Sequence, residues 1–247
     1  MGKTLPKPKL GIVIPTLNEA GNIPTLLDRL RTALEPTGVE YELIVVDDDS
    51  QDGTADVTRE YGKQDSRVSV YVRKGPRGLA GAVIHGWAKT DASLLGVIDA
   101  DLQHPPEVMP QLLKAVLDGK DIAIASRYAT NSKQNIADWN KARHLISRAS
   151  TLATAPLQRK HLRIKDPMSG FFVVRRECIE GIDLQPQGFK ILLEILVKGR
   201  IQSAVEVPFH FATRQSGKSK ADFRVALHYF SLLGKLSRYA IFGSGQR

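Results

Sequence analysis

The sequence predicts an α/β protein: a mainly parallel sheet with helices on both faces, followed by amphipathic helices toward the C-terminus. Three observations predict it. Short apolar runs alternate with segments of helical periodicity through the first half of the chain. Each run is β-branched or apolar-rich and short enough to be a buried strand. Acids, glycines and polar turns gather where those runs end.

In chain order, "KLGIVI" (9–14), "YELIVV" (41–46), "VSVYV" (68–72), "LLGVI" (94–98) and "DIAIAS" (121–126) are the expected strands. Between them "NIPTLLDRLRTAL" (22–34), "TADVTREYG" (54–62), "LAGAVIHGWAK" (79–89) and "PEVMPQLLKAVLDG" (106–119) carry apolar residues at three- and four-residue spacing, as helices do. Gly38, Gly62 and Gly119 sit near the expected helix ends, where glycine takes the left-handed conformation cheaply. After residue 127 the alternation breaks. Residues 137–165 read as a basic amphipathic helix, "SGFFVVRR" (169–176) and "SAVEVPFHF" (203–211) as strands flanking a helix over 189–199, and 221–242 as a closing basic helix. The expected organisation is an N-terminal tail (1–8), one catalytic domain (9–220) and an amphipathic helix with its tail (221–247).

Composition narrows the classes. One cysteine, Cys178, excludes an internal disulfide framework and a thiolate metal cluster. The N-terminus lacks the apolar core of a signal peptide, and no apolar stretch reaches 18 residues, so no span is expected. The net charge of +9 is uneven: +8 over residues 127–165, +6 over 212–247 and −5 elsewhere. An acidic body with two basic segments points to an anionic partner met at particular places. No zinc finger, RNA-binding signature or recognition helix is present, so nucleic acid is not the expected partner. A phosphoacceptor receiver domain also gathers acids on strand ends, but the basic second half has no role in it.

The strand ends carry "PTLNE" (15–19), "DDDSQDGT" (47–54), "RKGPRGLAG" (73–81) and "DADLQ" (99–103). In an open parallel sheet, ligands bind beyond the carboxyl ends of the strands. Asp99 and Asp101 project to one side of an extended segment and repel unless a cation or donors stand between them. Hard oxygen ligands of this kind suit Mg²⁺ or Mn²⁺. Asp52, in a turn running into a helix, is expected to be purely structural. Neither the dinucleotide fingerprint nor a P-loop occurs.

Taken in order, "IPTLNEAGNI", "IVVDDDSQDGT", "GLAGAVIHG", "IDADLQHPPEV", "SRY" and "DPMSGFFVVRR" resemble family 2 glycosyltransferases of the GT-A fold. "GFKILLEILVKG" and "VEVPFHFATRQSGKSK" narrow the likeness to the dolichyl-phosphate (polyprenyl-phosphate) mannose synthases. The resemblance implies transfer of mannose from GDP-mannose to a polyprenyl phosphate with inversion at the anomeric centre. By the same resemblance Pro15, Leu17 and Glu19 line the nucleotide, and Val46 and Asp48 hold its base. Asp99 and Ala100 neighbour the ribose and diphosphate, and Asp101 with Gln103 are the Mg²⁺ or Mn²⁺ ligands. Arg127, Arg143, Lys190 and Arg214 surround the donor diphosphate and the acceptor phosphate.

An acceptor phosphate monoester has a second pKa of about 6, so it is largely dianionic near neutral pH and needs little help from a base. A single displacement without a glycosyl-enzyme follows, and His104 is expected to be a packed turn histidine. The acceptor is a bilayer lipid, so the basic helices are expected to lie in the headgroup interface, peripheral on the cytoplasmic face of a membrane. That this chain has been shortened before C-terminal transmembrane segments is an equal expectation. The alternative chemistry is a polyprenyl-phosphate glucosyltransferase using UDP-glucose.

Overall fold

The computed structural model describes residues 7–129, 154–159, 162–185, 190–209, 234, 236 and 237. Seven strands form one sheet: β1 (Lys9–Thr16), β2 (Glu40–Asp47), β3 (Val68–Val72), β4 (Leu94–Val97), β5 (Ile122–Ser126), β6 (Phe172–Arg175) and β7 (Ala204–Pro208). Among the described residues five helices cross between them: α1 (Ile23–Leu34), α2 (Thr54–Gln64), α3 (Leu79–Trp87), α4 (Met109–Leu117) and α5 (Ile191–Lys198). The strand order is β3-β2-β1-β4-β6-β5-β7. Every pairing is parallel except those of β6, which runs antiparallel to both β4 and β5.

Burial explains the apolar strands. Leu10, Ile12 and Ile14 of β1 join a core with the apolar faces of α1 and α4, while Val13 joins Val46, Val83, Leu192 and Ile195 on the opposite side. Strand side chains alternate between faces, so a strand covered on both sides is apolar at successive positions. α1 contributes Ile23, Leu26, Leu27, Leu30 and Leu34, one stripe at helical spacing. α3 approaches the sheet through Gly86, where an added Cβ would lie 2.6 Å from Val13 Cγ2 and 2.9 Å from Val46 Cγ2.

Two expectations are corrected. Gly38 and Gly119 do adopt positive φ, +65° and +103°, but Gly62 lies inside α2. Its missing side chain instead leaves room for the Val68 carbonyl, which a Cβ would approach to 2.9 Å. The helix expected over 137–165 does not run to its end. A short 3₁₀ turn, Ala155–Leu157, carries Pro156 near its start, and residues 162–165 are irregular. The Gln158 side chain bonds both backbone groups of Ile164, holding that segment as a loop. Residues 137–153 and most of the closing helix, 221–242, lie outside the described residues.

The chain turns back after β1–β2–β3 and places β4 on the other side of β1. Such a reversal opens a crevice at the carboxyl ends of the two central strands. β6, being antiparallel, brings its amino-terminal end to that same rim.

Candidate active site

The crevice collects the strand-end residues. Pro15 pairs in register with Val46, and Thr16 with Asp47. Asp47 is a buried strut: Thr16 Oγ1 donates to its Oδ1 at 2.9 Å and the Ser50 amide to its Oδ2 at 2.9 Å. Leu17 and Glu19 are half-buried just beyond β1. Glu19 is fixed through its amide, which donates to Thr54 Oγ1, and through its carboxylate, which accepts from Asn22 Nδ2 at 2.7 Å. Asp52 behaves as the structural acid expected: the Thr54 and Ala20 amides donate to its two oxygens at 3.0 Å. Burial raises its pKa, yet hydrogen bonds from the Thr54 side chain and these amides bring it below the usual value.

Asp48 is nearly buried, and both of its oxygens are engaged. Arg73 Nε donates to Oδ1 at 2.7 Å, and the Gly78 amide donates to Oδ2 at 2.7 Å. The glycine-rich "RKGPRG" segment is thus tied to the end of β2, with Gly75 at φ +132° easing its turn. The Val46 side chain is buried against α3, leaving only its backbone near the rim. Ala100 is likewise buried.

Asp99 stands just past β4, its side chain 30% exposed. Gly170 approaches it so closely that a Cβ there would overlap Asp99 Oδ2 and lie 2.7 Å from its Cγ. Next, Leu102 adopts φ +59°, reversing the chain so that Asp101 Oδ1 accepts the Gln103 amide at 3.1 Å. One tight turn therefore carries a carboxylate and a carboxamide. Among the described residues no cluster of three or more His, Cys, Asp and Glu side chains is placed to hold a metal. Two oxygen-bearing side chains on one turn fit a hard cation that fills its remaining positions with water and phosphate, as Mg²⁺ and Mn²⁺ do.

Across the crevice, Arg127 follows β5 and makes a fork-to-fork pair with Asp166. Nε and Nη2 donate to Oδ2 and Oδ1 at 2.8 and 2.7 Å, and the Arg127 amide donates to Oδ2 at 3.2 Å. Burial opposes the guanidinium charge, and Asp166 more than restores it. Lys190 caps α5 and donates from Nζ to the Met168 carbonyl at 3.4 Å. Burial first, then the neighbouring Arg127, lowers its pKa below the ordinary lysine value; Asp99 and Asp166 pull it back up. Four charged groups, two of each sign, therefore share this part of the rim. Arg143 and Arg214 lie outside the described residues.

His104 is packed between Phe171 and Phe209, with ring centroids 5.7 and 5.3 Å away. Its Nδ1 is 3.6 Å from Asp99 Oδ2. Burial pushes its pKa down to about 4, far from that of an efficient base at neutral pH.

The chain matches glycosyl transferase family 2 over residues 11–182, which span the crevice from β1 to the segment after β6. It belongs to that family. This family 2 chain is 42% identical over 231 residues to a dolichol-phosphate mannosyltransferase of Pyrococcus furiosus, covering 94% of its own length and 64% of the relative's. It is 34% identical over 240 residues to a dolichol-phosphate mannosyltransferase of Mycosarcoma maydis, covering 94% of this chain and 80% of that one. The crystal structure of mannosyl-3-phosphoglycerate synthase from Rubrobacter xylanophilus superposes with a TM-score of 0.67 at 20% identity, over 97% of this chain and 76% of that one. That likeness extends to the fold. The glycosyltransferase assignment accounts for the GT-A-like sheet and for a crevice lined by acids on one side and bases on the other.

Sequence reasoning named no role for Asp166, Gly170, Arg73 or Glu206. The first two belong to "DPMSGFF", whose Asp-Pro and pre-strand glycine were the available signal. Glu206 of β7 accepts the Lys165 and Asp166 amides at 2.9 and 3.0 Å, a contact visible only in the folded chain.

Proposed function

We propose that this glycosyltransferase moves mannose from GDP-mannose to a polyprenyl phosphate, inverting the anomeric centre. The observation that carries the reading is the convergence of Asp99, Arg127, Lys190 and the Asp101–Gln103 turn on one rim of a family 2 fold. The two mannosyltransferase relatives, each named for dolichol phosphate, support the sugar and the lipid class.

Within this reading Pro15, Leu17 and Glu19 form the wall beside the nucleoside, and the Asp48–Arg73–Gly78 set closes its base end. Asp99 positions sugar or ribose hydroxyls next to Ala100. Asp101 and Gln103 would hold Mg²⁺ or Mn²⁺, which would supply positive charge to offset that on the departing diphosphate. Arg127 and Lys190 hold phosphate oxygens at the reaction centre, a task shared by Arg143 and Arg214. The acceptor phosphate oxygen attacks the anomeric carbon, the bond from that carbon to the diphosphate breaks, and GDP leaves with the electron pair. The dianionic acceptor needs no proton removed, which agrees with a His104 of low basicity.

No helix among the described residues is long and apolar enough to cross a membrane. We place the catalytic domain at 9–220, and assign attachment at the cytoplasmic membrane surface to the basic segments 137–157 and 221–247. The donor is tested by supplying radiolabelled GDP-mannose or UDP-glucose with a polyprenyl phosphate in detergent and extracting the lipid. Label from GDP-mannose is expected. Label from UDP-glucose alone keeps the fold and the displacement but makes the enzyme a glucosyltransferase.

A further inference from the structure

One loop reaches the three charged groups of the crevice that β4, β5 and α5 supply. Asp166 takes the Arg127 fork, the Met168 carbonyl accepts from Lys190 Nζ, and Gly170 gives way to the Asp99 carboxylate. The loop is itself held at its base, because the Glu206 carboxylate accepts the amides of Lys165 and Asp166. The Ser169 amide then closes a tight turn onto the Asp166 carbonyl at 3.3 Å.

We infer that Asp166 is a positioning residue: it acts through Arg127, aiming the guanidinium at the phosphates, with Glu206 fixing the backbone that carries it. This rests on the sugar-transfer reading for the identity of those phosphates. Asp166 is fully buried, and the Arg127 side chain is 20% exposed. A buried ion pair is close to neutral for stability against apolar packing of similar volume, so stability gives little reason for this one. What the pairing supplies is geometry. Two parallel N–H···O bonds fix the plane of the guanidinium, and the third, from the Arg127 amide, fixes its backbone origin to the same carboxylate. A lysine at 127 would keep the charge and lose that plane.

The test is a double-mutant cycle with Asp166→Asn and Arg127→Lys, read by kcat with GDP-mannose and by calorimetric Kd for farnesyl phosphate. Melting temperatures are followed in parallel. Asp166→Asn is expected to lower kcat about 100-fold, the cost of a misaimed group. In the Arg127→Lys background the same substitution is expected to cost less than about threefold, since it then has no fork to aim. Equal costs in both backgrounds overturn the inference. If Asp166→Asn does not fold, Glu206→Gln takes its place under the same criterion. A wild type that transfers no sugar, but whose farnesyl phosphate affinity shows the coupling, sinks the sugar-transfer reading and leaves the positioning role standing. A wild type that neither transfers sugar nor binds farnesyl phosphate overturns both.

Discussion

Two residues at the rim show how local chemistry sets what the crevice can do. Gly170 has no side chain where one would strike Asp99, so the carboxylate occupies space that any other residue would fill. Gly170→Ala is expected to displace Asp99 and lower kcat about 100-fold while the melting temperature stays near that of the wild type, since the misplacement is local. Steady-state kinetics beside a thermal melt check this, and unchanged turnover would remove Asp99 from the reaction centre. Lys190 is the second. Burial and Arg127 hold its pKa below the ordinary value of 10.5, so its positive charge is lost earlier as pH rises. Activity is therefore expected to fall on the alkaline side before an ordinary lysine would titrate. Lys190→Arg should move that fall upward, because arginine stays protonated throughout. A pH–rate profile of both proteins checks it; coincident alkaline limbs would contradict the assignment.

At the scale of elements, the helix–sheet contacts decide how firmly the rim is held. α3 lies against β1 and β2 through Gly86, directly over Val13 and Val46. Gly86→Ala forces a methyl into that contact and is expected to destabilise the fold by about 1–3 kcal/mol, as overpacking does. Urea unfolding measures it, and a loss within error would mean that the helix can shift at little cost. The strands of the first half were legible because each is short and apolar, and α1 and α4 because each carries one apolar stripe. The direction of β6 was not, because nothing in "FVVR" tells a strand which way its neighbours run. That direction is what delivers Gly170 to Asp99. The end of the helix expected over 137–165 was misread because basic amphipathic spacing continued past Pro156, while the backbone there bonds to Gln158 instead.

Taken whole, the molecule is a nucleotide-sugar type of sheet whose topology places acids and bases from distant parts of the chain on one rim. The acids were legible in sequence because they follow apolar runs and so fall on strand ends. The Arg127–Asp166 pair was not, since 39 residues separate partners that only the sheet order brings together. The Asp48–Arg73 contact, 25 residues apart, escaped for the same reason. We propose that mannosyl transfer at this rim is metal-assisted. The most direct measurement is mannose transfer from GDP-mannose to a polyprenyl phosphate, with Mn²⁺ or with excess chelator, for the wild type and for Asp101→Ala. Lipid-linked mannose is expected from the wild type, with its loss in chelator and a fall of at least about 100-fold for Asp101→Ala, the scale on which electrostatic groups at a reaction centre act. Undiminished transfer in chelator, or full activity of Asp101→Ala, would contradict it.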